Sequence, residues 1–382
     1  MTLKIVLDEN IPHAQEIFSP FGVITSLPGR LIKNQDLKDA DALIIRSITN
    51  VDKNLVENTK LKFIGTCTIG TDHVKEKDLE DKNIKFFSAP GCNAQSVAEY
   101  VLAVLLDFSS KTKNPLKGKS IGVVGVGNVG TLVAQYAKQL DMEVLLNDPP
   151  RERKGDPLTF VPFEKILTCD FITLHVPLNK QGPDKTHYLI NEIILKQMKP
   201  NAVLINTCRG SVVNNKDLKS ALINKVIQAA VLDVWENEPN IDKELFNLCY
   251  LGTPHIAGYS YDAKIRGSTM IAEKLAGFFH LKLPDYSQIG LPEEKYLDIG
   301  KTENLVENPL KTIVNLFYDP QMDHLHLKNA ISSDNLGEYF DNLRKKYRKR
   351  REFQVVPLKY NLEMIPDSIV KKLSHLRFRK FI

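Results

Sequence analysis

Short apolar runs alternate with stretches of helical periodicity along most of the chain. The runs are rich in valine, isoleucine and leucine, and the clearest helical stretch begins after Asn93, whose side chain can cap a helix. Alternation of this kind is typical of an α/β fold with largely parallel sheets. The predicted strands are Leu3–Leu7, Ala42–Ile45, Lys62–Ile64, Ser120–Val124, Glu143–Leu146, Phe171–His175, Ala202–Asn206, Ile227–Leu232 and Tyr250–Gly252.

Two polar stretches interrupt this alternation. Lys111–Lys119 contains proline and glycine and is predicted to be a boundary or hinge, and Leu281–Lys295 is predicted to be a second linker. At roughly 150 residues per domain, the 382-residue chain has room for two or three domains. The segment after the second linker mixes apolar runs with a charge-rich helical stretch, and its length suits a small domain.

The composition is that of a globular protein. Apolar residues make up 43% and charged residues 25%, which excludes a wholly disordered or collagen-like chain. The 5 cysteines form no CxxC pair, a pattern that favours reduced thiols and argues against a disulfide framework or a zinc site. No apolar run reaches the ~18 residues of a membrane-spanning helix, and the N-terminus lacks the pattern of a signal peptide. We therefore expect a cytoplasmic protein with no membrane partner and no metal.

The net charge of +5 comes from the end of the chain. Residues 341–382 hold 13 lysines and arginines against 4 acidic residues, whereas the first 340 residues hold 38 against 42. The basic run Arg344–Arg351 is interpreted as a solvated helix face, or as part of an oligomer or phosphate site. A nucleic-acid role is the alternative, but Tyr347 is the single aromatic residue of that run available for stacking on a base. We therefore expect no nucleic-acid partner.

The strongest single motif is the glycine-rich sequence GVGNVG, from Gly125 to Gly130. It follows a predicted strand and opens a helical stretch, the setting in which a backbone cradles a pyrophosphate. Gly125 allows the tight turn, Gly127 lets the backbone approach the anion, and Gly130 lets helix and strand pack closely. The motif predicts a dinucleotide site; a glycine turn in a nucleotide-free α/β domain is the alternative.

Asp148 stands at the end of the next predicted strand, 18 residues after Gly130. A carboxylate there would accept hydrogen bonds from ribose hydroxyls and repel the 2′-phosphate of NADP. Arg151 lies just beyond and could receive such a phosphate, so NAD is preferred while NADP stays open. His175 also ends a predicted strand, and it is interpreted either as a residue that lines the cofactor site or as a core histidine.

Three further predicted strands end in side chains with catalytic chemistry, and parallel strands gather such side chains at one edge of a sheet. Arg209 offers a planar fork for a carboxylate, and His255 can take a hydroxyl proton near neutral pH. Asp233 and Glu238 follow one strand, and a carboxylate beside the histidine would stabilise its protonated form. Taken singly, each could be a surface ion pair, a turn residue or a loop histidine. Together they form the set that hydride removal from an alcohol carbon requires.

The series GVGNVG, HVPL, INTCRGSVV, LDVWENEP and TPHIAGY resembles the D-isomer-specific 2-hydroxyacid dehydrogenase family, including the 29-residue step from Arg209 to Glu238. The resemblance implies a Rossmann-type NAD-binding domain, residues 94–255, inserted into a flavodoxin-like substrate domain formed by residues 1–93 and 256–280. It also implies that Arg209 binds the substrate carboxylate, that His255 is the acid/base and that Glu238 is its partner. It implies that Asp233 and the backbone of Thr207–Arg209, which includes Cys208, line the nicotinamide side of NAD. Gly258 is implied as a further contact of NAD.

Further segments, among them LDENIPHA, IIRSIT, GTCTIGTDHV and the tail segment FDNLRKKYRKRREF, resemble members of this family that oxidise a phosphorylated 2-hydroxy acid early in pyridoxal 5′-phosphate biosynthesis. This resemblance implies substrate contacts from Ser47, Thr68 and Tyr259, and Arg46 suits a substrate phosphate. It also implies that residues 281–382 form a small C-terminal α/β dimerisation domain, so that the partner is a second copy of the chain. Cys208 departs from the family, because a smaller residue such as alanine is expected there.

Two other functions stay open at this point. The first is another enzyme of the same family, of the phosphoglycerate or glyoxylate type, against which the tail segment and Arg46 argue. The second is an NAD-sensing protein built on the same fold. Arg209, Glu238 and His255 argue against it, since binding alone needs no acid/base pair.

Overall fold

The computed structural model describes residues 2–301, 308–360 and 365–380, and the chain divides into two compact units. The first unit comprises residues 1–93 and 260–293, and the second comprises residues 94–259 and 294–382. Residues 302–307, 361–364 and 381–382 of the predicted C-terminal domain lie outside the described residues. In the described ranges, no helix has the length and apolar character that crossing a membrane requires, and no cluster of three metal-ligating side chains occurs.

The elements alternate between strand and helix along both units. The strands are β1 Leu3–Asp8, β2 Gly22–Leu27, β3 Ala42–Ile45, β4 Phe63–Thr66, β5 Lys85–Phe87, β6 Ser120–Val124, β7 Glu143–Asn147, β8 Phe171–Leu174, β9 Val203–Asn206, β10 Ala229–Leu232, β11 Leu251–Gly252, β12 Leu297–Asp298 and β13 Leu358–Lys359. The α-helices are α1 Ala14–Phe18, α2 Lys53–Val56, α3 Glu76–Glu80, α4 Ala94–Thr112, α5 Asn128–Gln139, α6 Pro149–Arg153, α7 Phe163–Ile166, α8 Glu192–Leu195, α9 Asn215–Ile223, α10 Lys243–Leu248, α11 Tyr261–Phe279, α12 Pro309–Phe317, α13 Pro320–Ile331, α14 Leu336–Lys345 and α15 Asp367–His375.

The first unit is built on a parallel sheet of order β2–β1–β3–β4–β5, the order of flavodoxin-like folds. Every residue of β3 and β4 is buried, as expected for central strands of a parallel sheet that is covered on both faces. Helix α11 packs on β4, where a side chain at Gly65 would collide with Ile271. The glycine therefore lets this long helix lie directly on the sheet.

The second unit contains a parallel sheet of order β7–β6–β8–β9–β10–β11. Strand β7 lies on one side of β6 and β8 on the other, so the direction of winding reverses between β6 and β8. Open α/β sheets bind ligands at the carboxyl ends of their strands at such a reversal. The predicted fold class, a Rossmann-type sheet with a flavodoxin-like one, is confirmed. The predicted boundary or hinge Lys111–Lys119 begins in the last two residues of α4 and leads to β6 within this unit, so it does not separate the two compact units.

Residues 294–382, called the tail below, belong to the same compact unit as the Rossmann-type sheet. Helices α12 and α13 pack on α4, and α15 packs on α5. The short strands β12 and β13 pair in parallel. Apolar side chains of the tail, such as Ile313 and Val314, share one core with Tyr100 and Leu105 of α4. Whether the tail forms a separate domain that dimerises the chain stays a prediction.

A buried polar cluster also joins the tail to α4. Arg350 is fully buried, and its guanidinium donates to the carbonyl oxygens of Ser96 at 2.7 Å and Ala257 at 3.1 Å. It lies 3.5 Å from a carboxylate oxygen of Glu99 and 4.0 Å from the centre of the Tyr318 ring. The buried guanidinium of Arg350 therefore links the tail to α4 and to the segment that contains Ala257.

Glu99 is the acidic partner in this cluster. Its carboxylate accepts hydrogen bonds from the Phe353 N–H at 2.8 Å and from Gln95 at 2.9 Å. Burial raises the pKa of Glu99 to about 8; Arg350 opposes this rise and the nearby Glu352 carboxylate adds to it. Glu352 is itself fully buried and accepts from the Ser96 hydroxyl at 2.7 Å.

Candidate active site

The glycine-rich loop forms the turn between β6 and α5. Gly125 has a φ of 84°, in the left-handed region that favours glycine. A side chain on Gly125 would meet the His175 carbonyl oxygen at 2.6 Å, and one on Gly130 would collide with the carbonyl of Gly125. A side chain on Gly127 would meet nothing within 4 Å. The loop is therefore tight against the protein at its ends and open at Gly127, before the N-terminus of α5, which suits a pyrophosphate.

Asp148 holds this loop in place from the end of β7. Its carboxylate accepts hydrogen bonds from the Val126 N–H at 2.8 Å and from the Arg151 N–H at 3.1 Å, so it also caps α6. The Arg151 side chain forms an ion pair with Asp156 at 2.5 Å and donates to the Val126 carbonyl oxygen. Arg151, which was considered as a contact for the 2′-phosphate of NADP, is thus already paired with the carboxylate of Asp156.

His175 lies beside the glycine loop at the end of β8. Its Nε2 is 3.0 Å from the Thr173 hydroxyl, and its Nδ1 is 3.3 Å from the hydroxyl of Thr207, which follows β9. The imidazole is half-buried and densely surrounded by protein atoms, and this burial lowers the pKa of His175 to about 3. His175 is therefore neutral at physiological pH and polar without carrying charge.

The segment after β9 carries Arg209. The buried Asn206 side chain accepts from the Cys208 N–H at 3.1 Å and donates to the Arg209 carbonyl oxygen at 3.0 Å, which fixes the turn. A side chain at Gly210 would collide with the Trp235 backbone, so the glycine lets this turn approach the segment after β10. Arg209 itself is half-buried, and its Nη1 donates to the Cys208 carbonyl oxygen at 2.8 Å.

Cys208 fills the position where a smaller residue was expected. The side chain is 8% exposed, and burial raises the pKa of its thiol to about 11. Its Sγ lies 3.1 Å from the side-chain oxygen of Asn206. The thiol therefore stays protonated and behaves as a small buried side chain.

His255 and Glu238 form an imidazole–carboxylate pair. The His255 Nδ1 lies 2.7 Å from Glu238 Oε2, and the other oxygen of Glu238 accepts from the Trp235 N–H at 2.8 Å. In the part of the chain that the structure describes, the His255 Nε2 has no hydrogen-bond partner. The Trp235 N–H thus orients the Glu238 carboxylate, and the carboxylate orients the imidazole of His255. The Nε2 of His255 is left to contact a reacting group.

The carboxylate of Glu238 is held in its ionised form. Burial alone would raise its pKa, but the charge and hydrogen bond of His255 and the Trp235 N–H outweigh it, so the pKa of Glu238 is lowered. The ionised carboxylate therefore presents a charged hydrogen-bond acceptor to the Nδ1 of His255.

Asp233 lies beneath the segment that carries His255. It is 1% exposed, and its carboxylate accepts from the Thr253 hydroxyl at 2.6 Å and from the N–H groups of Ile256 at 2.8 Å and Ala257 at 3.0 Å. Burial raises the pKa of Asp233, against the opposing effect of His255 and these donors. The His255 N–H also donates to the Asp233 carbonyl oxygen at 2.7 Å. Asp233 therefore fixes the backbone on both sides of the candidate base.

Gly258 and Tyr259 end the same segment. The Tyr259 hydroxyl accepts a hydrogen bond from Nη2 of Arg344 at 3.0 Å, and the guanidinium carbon lies 5.5 Å from the centre of the tyrosine ring. Tyr347 packs against the same ring edge-to-face at 5.9 Å. Two residues of the basic run thus reach the end of the candidate catalytic segment.

The remaining predicted residues belong to the first unit. Arg46 and Ser47 follow β3 and Thr68 follows the neighbouring parallel strand β4, so the three share one edge of that sheet. Arg46 makes two contacts with the buried carboxylate of Asp8, at 3.0 and 3.4 Å. The Thr68 hydroxyl lies 2.8 Å from that of Thr66, and Ser47 is exposed.

Four residues with a part in this geometry were not predicted from the sequence. Asn206 ends β9 and Thr253 follows β11. The sequence signal that could have identified them is a polar side chain at the end of a buried strand. Trp235 acts through its backbone N–H, which no side-chain pattern reveals. Arg344 was assigned to a basic run, and its contact with Tyr259 spans 85 residues.

Two family models match the chain. The model described as the NAD-binding domain of D-isomer-specific 2-hydroxyacid dehydrogenases matches residues 105–257. A model described as a domain of unknown function matches residues 291–376, which is most of the tail.

Curated relatives match over nearly the full length. The erythronate-4-phosphate dehydrogenase of Tolumonas auensis is 40% identical over 370 residues, which is 97% of this chain and 98% of the relative. The enzyme of the same name from Hahella chejuensis is 41% identical over 361 residues, with 93% and 94% covered. Among solved structures, the TT0316 protein of Thermus thermophilus superposes with a TM-score of 0.63 at 25% identity, with 74% of this chain and 99% of that chain covered.

Proposed function

Since this chain belongs to the erythronate-4-phosphate dehydrogenase family and is an NAD-dependent dehydrogenase, we propose that it oxidises 4-phospho-D-erythronate. The product would be (R)-3-hydroxy-2-oxo-4-phosphooxybutanoate, in an early step of pyridoxal 5′-phosphate biosynthesis. Within the site, the proposal is carried by the pair of His255 and Glu238, whose 2.7 Å contact supplies an oriented base. A protein that only sensed NAD would have no use for such a pair.

The proposed chemistry divides among three side chains. The Arg209 guanidinium holds the C1 carboxylate as a planar fork. The His255 Nε2 takes the proton of the C2 hydroxyl, and Glu238 stabilises the imidazolium that forms. Bound NAD supplies the acceptor for the hydride that leaves C2. The alcohol thus loses one hydride and one proton and becomes the 2-oxo acid.

The NAD site is proposed to run along the carboxyl edge of the Rossmann-type sheet. The turn of Gly125, Gly127 and Gly130 and the N-terminus of α5 suit the pyrophosphate, and the openness at Gly127 supports this. Asp148 would accept from the ribose hydroxyls. The residues proposed for the nicotinamide side are Thr207, Cys208 and Asp233, and His175 and Gly258 are proposed as further contacts of NAD. His175 suits a place in the lining of the cofactor site because it is neutral and adds no charge there.

In the first unit, Ser47, Thr68 and Arg46 are proposed to contact substrate. In the second unit, Tyr259 is proposed to contact substrate as well. Their placement after strands supports a ligand-facing role.

The test of the proposed function is a screen of NADH formation. The purified chain is assayed with 4-phosphoerythronate, 3-phosphoglycerate, glycerate and glycolate at matched concentrations. The expected result is a kcat/KM for 4-phosphoerythronate well above that for each other acid. Faster turnover of phosphoglycerate or of an unphosphorylated acid would instead assign the chain a different substrate.

Substitution of Asp148 tests the cofactor preference. Asp148→Ala is expected to weaken NAD binding and to narrow the ratio of NAD to NADP activity, because the ribose loses an acceptor and a 2′-phosphate loses a repelling charge. The measurement is kcat/KM for both cofactors. Glu152→Gln removes a nearby exposed carboxylate and is the control for net charge. Comparable use of NAD and NADP by the unaltered enzyme would contradict this role of Asp148.

We further propose a cytoplasmic homodimer. Exposed apolar side chains on the tail helices support a face for a second copy: Leu316, Met322, Leu325 and Tyr339 are 41–52% exposed. The cysteines are all free and buried, as suits a reducing compartment. Light scattering of the full chain should give twice the mass of one chain, and Leu325→Glu should shift that mass towards one chain. A monomeric unaltered protein at assay concentration would contradict the dimer.

A further inference from the structure

Arg344 is a largely desolvated cation with an incomplete set of partners. Its Nη2 donates to the Tyr259 hydroxyl, but its Nε is buried and has no hydrogen-bond partner. Among the residues that the structure describes, no carboxylate forms an ion pair with its guanidinium. The carboxylates of Glu238 and Asp341 act on its charge, but neither forms an ion pair with it. A guanidinium removed from water without a paired anion is costly, so its retention needs a reason.

Three other arginines, two in the tail and one in the first unit, do have carboxylate partners. Arg348, four residues beyond Arg344, lies 2.7 Å from Asp323, and Arg350 lies 3.5 Å from Glu99. In the first unit Arg46, the residue suggested by the sequence for a phosphate, is paired with Asp8 at 3.0 Å. Among these four arginines, Arg344 is therefore the one whose guanidinium forms no ion pair in the described residues.

The position of Arg344 places that charge beside the reacting groups. Tyr259 is four residues beyond His255 on one short segment that Asp233 holds in place. The guanidinium also acts on Glu238: it is one of the charges that lower the pKa of that carboxyl. Burial alone would lower the pKa of Arg344, but Tyr259 and Glu238 outweigh this and raise it, so the side chain stays charged.

We propose that Arg344 is a specificity-determining residue that receives the phosphate group of the substrate. The inference rests on the proposed function, in which Arg209 takes the carboxylate at the other end of the same four-carbon molecule. A phosphate offers three acceptor oxygens, and an arginine fork can donate to two of them through Nε and Nη. Tyr259, held by Arg344, lies beside the same anion. The tail thus supplies a side chain that distinguishes a phosphorylated substrate from an unphosphorylated one.

The test compares the same hydroxy acid with and without its phosphate. Arg344→Gln is expected to lower kcat/KM for 4-phosphoerythronate by about 10- to 100-fold, the range for losing hydrogen bonds to a charged group. With erythronate, kcat/KM should change by less than about 2-fold. Arg344→Lys, which keeps the charge and loses the fork, should fall between these two. Lys345→Gln, an exposed neighbour on α14 with the same loss of charge, should behave as the unaltered enzyme.

An equal loss with both substrates would overturn the inference, because it would mean that Arg344 acts by positioning Tyr259 or Glu238. The same loss in Lys345→Gln would also overturn it, in favour of a general attraction by the basic tail. Thermal melting of each variant shows that the comparison is made on folded protein.

A binding measurement separates this inference from the proposed function. The NADH-loaded protein is titrated with inorganic phosphate by calorimetry, in unaltered and Arg344→Gln forms. Weaker phosphate binding in the variant supports the inference even if the unaltered enzyme fails to oxidise 4-phosphoerythronate, a result that would refute only the proposed function. Equal phosphate binding by both forms would refute the role of Arg344.

Discussion

Replacing His255 by alanine is expected to lower kcat by at least about 100-fold, while NAD binding is kept. The alanine variant has no group to accept the C2 hydroxyl proton, whereas the glycine-rich loop, Asp148 and the backbone around Asp233 are untouched. The measurement is steady-state kcat with 4-phosphoerythronate beside a fluorescence titration with NADH. Near-normal turnover in the variant would remove His255 from the mechanism.

Glu238→Gln is the companion variant, because the amide keeps the shape of the side chain and removes its charge. The carboxylate lies 2.7 Å from the His255 Nδ1 and is placed to stabilise the imidazolium that forms when the C2 hydroxyl proton is taken. Without that charge, kcat with 4-phosphoerythronate should fall by about 10- to 100-fold while NAD binding is kept. An unchanged kcat in Glu238→Gln would contradict the pairing.

Local sequence features predicted the central strands and the cofactor loop. Strands β3, β6 and β9 are largely buried, so each forms a continuous apolar run in the sequence. The cofactor loop was predictable because its tight turn requires glycine at fixed positions, such as Gly125 with its positive φ. The family resemblance and the assignment of NAD, both drawn from motifs at strand ends, are confirmed by the full-length relatives and the matched NAD-binding domain.

The edge strands of the first sheet and the long-range contacts could not be predicted in this way. Strands β2 and β5 lie at the two edges of the first sheet, where half-exposed positions leave no continuous apolar run. The basic run was interpreted as a solvated face or as part of an oligomer or phosphate site, yet Arg350 is fully buried and Arg344 reaches Tyr259. Nothing in a charged stretch shows which of its side chains a distant segment will cover.

Substitution of that buried arginine is expected to have the largest effect on stability. At pH 9, where Glu99 is ionised, Arg350→Met should lower the free energy of unfolding by about 3–5 kcal/mol, because the change leaves the buried Glu99 carboxylate without its cation. The carbonyl oxygens of Ser96 and Ala257 lose a donor as well. Urea unfolding followed by circular dichroism measures the loss. Lys346→Met, an exposed site four residues earlier, should cost less than about 0.5 kcal/mol.

The cost of Arg350→Met should also depend on pH, because Glu99 titrates in the cluster. The pKa of Glu99 is about 8 in the folded protein, against about 4.3 in an unfolded chain. The stability from its protonated form is therefore full below about pH 4.3 and is lost as the pH rises through about 8. At pH 6 a protonated Glu99 does not need the arginine, whereas at pH 9 it is ionised and does. The loss in Arg350→Met should thus be larger at pH 9 than at pH 6, and Glu99→Gln in the same variant should remove most of that difference. A loss that is the same at both pH values would show that Arg350 acts through its packing on Tyr318 and its hydrogen bonds to the backbone, and that its charge contributes little.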